Sequence, residues 1–321
     1  MTAPVRSTST EAATSTLEAA SVVAGRPRAT QALALSESEW RGRRDAHEQR
    51  VDGWTTDVLR RHSHAICDPV EDFLFDYYPY SPAQLRRWSP GHGRVLRGAT
   101  FEDFPERPGF HPGRDGIAVD VSTVPAVGRR LSWVREVLRR TADRPAAFHC
   151  FGMHEWAMVH GAEQGEVRHS SLPLRVTPDD VRRTVDEVGL RCTHFDAYRF
   201  FTDSARPLNA VTPSRDAQPE LEQAGCLHAT MDLYKYAMWL EPALPAEMKA
   251  DAFDLARRCR TVDMQASPYD VTVLGLETIA VETTRGRSWY AELQRAFADE
   301  GQQLRRRMLT ELDRTATDVT S

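Results

Sequence analysis

The segment at residues 147–160 constrains the fold of this chain more than any other segment. It is apolar on nearly all sides, yet it contains three histidines and Glu155. A helix that is apolar all round is buried, so we predict a buried helix here that carries polar groups into the protein. Six of the eleven histidines lie between His149 and His228. A core that serves stability alone rarely contains so many titratable groups, and this window is therefore the candidate reaction site.

The remaining chain predicts a mainly helical α+β fold. Apolar residues recur at helical spacing, and the sequence has no internal repeat and no sustained alternation of strands and helices, which favours one domain of this class. Helices are predicted at about residues 36–61, 125–141, 228–240, 245–265 and 287–314, and from Pro69 and Pro178 onward. Short strands are predicted at residues 94–96, 117–119, 271–274 and 278–281, and a buried strand at 191–202.

Composition along the chain predicts the domain boundaries. Residues 1–35 are rich in Ser, Thr, Ala and Pro and contain no large aromatic residue, so they cannot bury enough surface to offset their ordering entropy. We predict a disordered tail there, a single globular catalytic domain at 36–315 and a disordered C-terminus at 316–321. A Ser-x-x-Glu capping box at Ser36 and Glu39 predicts where the first helix begins.

Charge and cysteine content restrict the class of function. A net charge of −5 at pH 7 gives no electrostatic reason to expect a dedicated nucleic-acid binder. The five cysteines form no CxxC pair, which argues against a disulfide framework or a zinc ribbon, so we expect a cytoplasmic protein. No apolar run is long enough for a membrane span, and we expect no membrane partner. Cys150, Cys192 and Cys226 flank the histidine motifs and are an alternative source of a metal ligand.

Two pairs of residues have the spacing of metal ligands. On the predicted strand, His194 and Asp196 point the same way because side chains alternate. On the predicted helix, His228 and Asp232 lie one turn apart on one face. These four residues could contribute to a site with two histidines and one carboxylate for a transition metal such as iron. Alternatively, the carboxylates only orient and neutralise the buried histidines.

His154 and Glu155 are a separate case. Neighbours on a helix point about 100° apart, so the pair does not easily share one ligand, and Glu155 could instead pair with a cation such as Arg168. A zincin would need a His-Glu-x-x-His motif, whereas the next histidine after His154 is His160. Sequence motifs for phosphate loops, dinucleotide binding and α/β-hydrolase nucleophiles are also absent, which disfavours those reaction classes.

Aromatic residues and one arginine are candidates for substrate contacts. Trp156, Tyr198 and Tyr234 could hold a planar polar substrate between their rings, although aromatic residues at this spacing also suit a core. Arg215 could clamp a carboxylate or a phosphate with its planar guanidinium. It could equally lie in a solvated loop.

Three sequence motifs lie in the candidate window. They are Cys-Phe-Gly-Met-His-Glu-Trp-Ala-Met-Val at 150–159, Arg-Cys-Thr-His-Phe-Asp-Ala-Tyr-Arg-Phe-Phe at 191–201 and Gly-Cys-Leu-His-Ala-Thr-Met-Asp-Leu-Tyr-Lys at 225–235. Through them the chain resembles a family of actinobacterial proteins that genomes commonly label "3-methyladenine DNA glycosylase". The similarity covers about residues 37–300.

The resemblance implies a DNA-repair hydrolase, without a cofactor, that extrudes an alkylated purine and cleaves its N-glycosidic bond. Its partner would be alkylated DNA or a modified nucleobase or nucleoside. Asp196 would steady the oxocarbenium-like sugar and direct a water molecule, with Glu155 or Asp232 as the second choice. The pocket would be lined by Trp156, Tyr198 and Tyr234.

Three hypotheses therefore stand side by side. A glycosylase should have a basic groove leading to Asp196 and no metal. A metal-dependent enzyme acting on a small molecule should lose its ion in His228→Ala. A non-catalytic binding protein should only be destabilised by His194→Ala. The candidate catalytic residues under the two enzyme hypotheses are Asp196, Glu155, His194, His228 and Asp232. The sequence leaves the oligomeric state open.

Overall fold

The structure, a computed structural model, describes residues 33–105, 107–163, 165, 167, 169 and 171–320. These residues belong to one compact unit, and 57% of the residues are helical, so the predicted mainly helical domain with a few short strands is confirmed. The helices are, in chain order, α1 (Glu37–Ser63), α2 (Phe73–Tyr77), α3 (Pro82–Arg86), α4 (Pro125–Asp143), α5 (Met153–Ala157), α6 (Pro178–Val188), α7 (Phe195–Tyr198), α8 (Gln218–Leu221), α9 (Leu227–Trp239), α10 (Ala246–Gln265) and α11 (Thr284–Thr320).

Four short strands form one small sheet. They are β1 (Leu33–Leu35), β2 (Arg94–Arg97), β3 (Phe110–Gly113) and β4 (Gly116–Val119). Their order is β1-β2-β4-β3, with β1 parallel to β2 and the other neighbours antiparallel. A Cβ on Gly116 would lie 1.9 Å from the carbonyl oxygen of Leu96, so glycine is required where β4 meets β2. The sheet residues pack with Trp40, Trp88 and Phe104 in a small separate core.

The main core surrounds α9, which is buried along nearly its whole length. Residues 227–238 are all buried. This helix packs most extensively against α10 and also contacts α11 and α4. Because it is enclosed on all sides, its polar residues His228, Asp232 and Lys235 lie inside the protein. None of the helices in the described residues is long and apolar enough to cross a membrane.

Local sequence signals predict most of the long helices correctly. Ser36 caps α1 through the predicted capping box, and its backbone N–H donates to the carboxylate of Glu39 at 2.8 Å. The bounds of α9 and α10 differ from the predicted ones by one residue. Helix α11 extends to Thr320, so it includes residues that the sequence analysis assigned to a C-terminal tail. Of the predicted N-terminal tail, residues 1–32 lie outside the described residues, and β1 follows them.

The predicted strand at residues 191–202 is wrong. The segment contains the single helical turn α7, and the imidazole Nδ1 of His194 accepts a hydrogen bond from the backbone N–H of Ala197 at 3.2 Å. This side-chain cap satisfies a backbone donor that a strand would have used in a sheet. The predicted strand at 271–274 is a 3-10 helix capped by Asp270, and residues 278–281 are in no strand of the described chain.

The buried helix predicted at residues 147–160 is much shorter than expected. Only α5 is helical, because Phe151 and Gly152 just before it have φ angles of +49° and +71°. Right-handed helix cannot continue through residues in that left-handed region. The expectation that the segment is buried holds from Gly152 to His160.

Candidate metal centre

Polar side chains from α5, α7, α9 and α10 meet in the interior beside α9. Two clusters lie there, and in each of them three possible metal-ligand atoms lie within 4.8 Å of one another. All six residues are buried. We refer to His154, His228 and Asp263 as the first group and to His194, Glu222 and Asp232 as the second group. The two groups are neighbours, because the ring of His228 lies 4.4 Å from that of His154 and 5.2 Å from that of His194, measured between centroids.

In the first group, Asp263 uses only one of its oxygens for a hydrogen bond. Nε2 of His154 lies 3.0 Å from both oxygens of this carboxylate. Oδ2 takes part in the hydrogen bond, whereas the buried Oδ1 has no hydrogen-bond partner in the described part of the chain. Burial alone would lower the pKa of His154, but the charge of Asp263 and its hydrogen bond raise that pKa well above its usual value. His154 and Asp263 therefore attract each other strongly, and a metal ion at Nε2 of His154 would have to displace the proton that this bond uses.

The imidazole of His228 also has unused hydrogen-bonding capacity. Only 5% of this residue is exposed, and its ring makes no hydrogen bond with any residue that the structure describes. Burial lowers its pKa, and the neighbouring His154 and His194 lower the pKa further. His228 is therefore a neutral imidazole, the form that binds a metal ion.

In the second group, both ring nitrogens of His194 are already used. Nδ1 accepts the backbone N–H of Ala197, so Nε2 carries the proton. Nε2 lies 3.1 Å from Oδ2 of Asp232 and 3.3 Å from Oε1 of Glu222. Burial alone would lower the pKa of His194, but the charge and hydrogen bond of Asp232 raise it. A metal ion at Nε2 would have to displace this proton.

Asp232 is also fully engaged. Its Oδ1 accepts a hydrogen bond from the hydroxyl of Tyr78 at 2.8 Å, and its Oδ2 contacts the ammonium of Lys235 one turn along α9. Burial alone would raise the pKa of Asp232, but Lys235 and His194 hold that pKa below its usual value. The neighbouring carboxyl of Glu222 has a raised pKa because burial outweighs the attraction of His194.

Asp196 belongs to neither group, contrary to the prediction that it shares a face with His194. Its carboxylate accepts two hydrogen bonds from Arg215, at 2.7 and 3.1 Å, and one from Lys235 at 3.3 Å. Arg199 lies 3.5 Å away. Arg215, which the sequence analysis proposed for binding a substrate carboxylate or phosphate, therefore pairs with a carboxylate of the chain itself. Lys235 connects Asp196 with Asp232, so a line of charged groups extends from the half-exposed Arg215 to the second group.

Glu155 pairs with a cation, although its partner differs from the predicted one. Nη1 of Arg260 lies 2.8 Å from Oε1 of Glu155, and the guanidinium lies over the ring of Phe73 at 3.8 Å. Burial alone would raise the pKa of Glu155, but Arg260 and His154 lower it to about 2. Arg168, the expected partner, lies outside the described residues. Glu155 thus stays ionised behind the first group.

The predicted substrate-binding aromatic residues do not form one open surface. Trp156 and Tyr234 are completely buried, and the indole of Trp156 donates to the backbone oxygen of Ala266 at 2.9 Å. Tyr198 is partly buried and packs beside Phe201. Trp156 and Tyr234 therefore belong to the core, the alternative that the sequence analysis left open.

Comparison with known proteins adds no family. No family model matches the chain, and no curated protein or solved structure matches it either. The resemblance to the glycosylase-labelled family therefore stays a prediction. Of the four predicted metal ligands, His194 and Asp232 lie in the second group, His228 lies in the first group, and Asp196 lies in neither. Sequence reasoning missed Asp263 and Glu222.

Proposed function

We propose that this protein is a metal-dependent enzyme that acts on a small molecule, with the ion bound by His154, His228 and Asp263. The observation that carries the proposal is that His154, His228 and Asp263 bring their donor atoms within 4.8 Å of one another, while Oδ1 of Asp263 is buried without a hydrogen bond in the described chain. A buried polar group without a partner costs stability. A bound ion would compensate this cost.

The donor types support a catalytic rather than a structural ion. Two histidines and one carboxylate are three protein ligands, which leaves coordination positions for water or substrate. This donor set suits ferrous iron, and it also suits zinc in hydrolases. A bound ion would supply Lewis-acid or redox chemistry at the first group.

Neighbouring residues of this chain could assist such a reaction. Arg260 and Glu155 form an ion pair behind the first group, and this pair would help to fix the position of His154. On the other side, His194 holds a proton between two carboxylates, with its ring 5.2 Å from that of His228. His194 is therefore our candidate for moving a proton to or from a substrate.

Metal content of purified protein tests the proposal. Wild-type protein should contain about one ion per chain, or take up one Fe²⁺ or Zn²⁺ on reconstitution, and elemental analysis identifies which. His228→Ala should lose the ion. His160→Gln is the matched control, because His160 is a buried histidine of the same window that hydrogen bonds Ser204 and lies in neither group. Wild-type protein that binds neither ion after reconstitution would refute the proposal.

A second candidate function is the predicted glycosylase, and one observation favours it. Arg199 and Arg215, both about half exposed, flank Asp196, so basic groups that could contact phosphate adjoin the predicted catalytic carboxylate. Against this, Arg215 and Lys235 already neutralise Asp196, and we therefore rank the glycosylase second. Metal-free protein that releases 3-methyladenine from alkylated DNA, with loss of release in Asp196→Asn, would reverse this ranking.

A further inference from the structure

A cavity of about 470 Å³ lies against the segment that leads into α5. Its volume is in the range of small-molecule sites. Phe148 and Phe151 line it from the side of this segment, and the first turns of α11 form the opposite wall. The residues of α11 that matter here are Thr284, Arg287, Ala291 and Arg295.

Two arginines give the cavity its binding chemistry. The guanidinium of Arg295 lies 5.3 Å from the ring centroid of Phe148, and that of Arg287 donates to the backbone oxygen of Val281 at 3.0 Å. Neither guanidinium is within ion-pair distance of a carboxylate of the described residues, including Glu292, which also lines the cavity. Many arginines of this structure are paired with Asp or Glu, so these two are available to a ligand.

The cavity and the first group are joined by a short stretch of chain. Phe151 lines the cavity, and His154 of the first group follows three residues later. Between them, Gly152 approaches the end of α10 so closely that a Cβ there would lie 3.2 Å from the Cβ of Ala266 and 3.4 Å from the ring of Tyr290. Ala266 in turn follows Asp263 by three residues. Phe151, which lines the cavity, is therefore followed directly by a residue that packs on the end of α10, the helix that carries Asp263.

We infer that this cavity binds an aromatic carboxylate, at a site whose lining contains none of the residues of the first group. Its carboxylate would pair with Arg295 and Arg287, since a guanidinium matches the two oxygens of a carboxylate. Its ring would pack on Phe148 and Phe151. The inference does not depend on the proposed metal-dependent function, because no residue of the first group lines the cavity.

Calorimetric titration with 4-hydroxybenzoate tests the inference, with 4-hydroxybenzyl alcohol as the uncharged comparison. We expect the carboxylate to bind at least about tenfold more tightly than the alcohol. Arg295→Gln should weaken the binding of 4-hydroxybenzoate by a similar factor, because the guanidinium of Arg295 has no ion pair in the described chain. Arg285→Gln is the matched control: Arg285 is an exposed arginine of α11 outside the cavity lining, and its loss should leave binding unchanged.

The same titration on metal-free His228→Ala separates the inference from the proposed function. This variant keeps the cavity walls and should still bind 4-hydroxybenzoate. Metal-loaded wild type that binds no 4-hydroxybenzoate, or binds it equally well after Arg295→Gln, would overturn the inference and leave the metal proposal intact. The wild type could also take up no metal and still bind 4-hydroxybenzoate in a way that depends on Arg295. This result would support the cavity as an anion site and refute the metal proposal.

Discussion

The first and second groups both combine histidine with carboxylate side chains, but they use their polar atoms differently. In the first group, the imidazole of His228 and Oδ1 of Asp263 make no hydrogen bond with the described residues. In the second group, His194 uses both ring nitrogens, and Asp232 has three partners. Proximity alone would rank the two groups equally as metal sites, although the first has two histidines and one carboxylate and the second has one histidine and two carboxylates. The state of their hydrogen bonds separates a candidate ligand set from a completed polar network.

Charge separates the groups as well. In the second group, the buried ammonium of Lys235 already supplies a cation to Asp232. In the first group, the cation nearest to Asp263 is the imidazole of His154, at 3.0 Å, and Arg260, at 3.5 Å, has Glu155 as its closer partner. The second group, with the permanent charge of Lys235, should therefore contribute to stability without a metal, whereas the contribution of the first group should increase when an ion is bound.

Removing Lys235 should cause the largest loss of stability. In Lys235→Met, Asp232 and Asp196 lose a buried cation, and the free energy of unfolding should fall by about 3–5 kcal/mol. Urea denaturation measures the loss. Lys249→Met is the matched control, because Lys249 is equally buried but donates mainly to the backbone oxygens of Gln84 and Arg87.

The control should lose about 1–3 kcal/mol, since it leaves unsatisfied backbone oxygens and a partly exposed Glu241 that still has Arg107 at 3.8 Å, rather than a fully buried charge. The double variant with Asp232→Asn should recover part of the loss caused by Lys235→Met, because the asparagine removes one of the uncompensated charges. Equal losses in the two lysine variants would mean that the second group is not held together by its charges.

Metal binding should stabilise the protein through the first group alone. At an ion concentration of about 100 times the dissociation constant, the free energy of unfolding should rise by about 3 kcal/mol. The gain should vanish in His228→Ala and persist in His194→Ala, and thermal denaturation with and without a chelator measures it. If His194→Ala abolishes the gain and His228→Ala keeps it, the second group rather than the first binds the ion.

How far sequence predicts this site depends on whether a contact is local. His228 and Asp232 were found because helical spacing in α9 puts them on one face. His194 was found within a wrong strand, because its part in capping α7 depends on one side-chain hydrogen bond rather than on a periodic pattern. Asp263 was missed because the packing of α10 against α9 brings it to His154, and a contact between residues 109 positions apart leaves no periodic signal.

A weaker sequence signal for Asp263 does exist. Ala252, Ala256 and Cys259 precede it at spacings of three and four residues and are all buried, so the carboxylate lies on the apolar stripe of α10. An acidic residue on such a stripe is rarely left buried without a partner. Glu222 has a comparable local signal, since Gln218 lies one turn before it and contacts its carboxylate.

The smallest expected change in the free energy of unfolding concerns His47, a buried histidine outside both groups. It shows how burial changes the pKa of a histidine that has no hydrogen bond to a carboxylate. Its Nε2 lies 3.1 Å from the backbone oxygen of Leu85, and burial, with the charge of Lys249, lowers its pKa to about 4. In the unfolded chain the pKa of His47 is about 6.5. As the pH falls, His47 is therefore protonated in the unfolded state before it is protonated in the folded state. The contribution of His47 to stability is therefore complete above about pH 6.5 and is lost as the pH falls towards 4.

His47→Gln keeps a donor for Leu85 but does not titrate. Between pH 7 and pH 5, the free energy of unfolding of the wild type should fall by about 1–2 kcal/mol more than that of this variant. Urea denaturation at both pH values measures the difference, and identical falls would show that burial does not depress the pKa of His47. Because the neutral His228 is also buried without a carboxylate hydrogen bond, a confirmed shift at His47 supports the argument that burial keeps such an imidazole uncharged and ready to bind an ion.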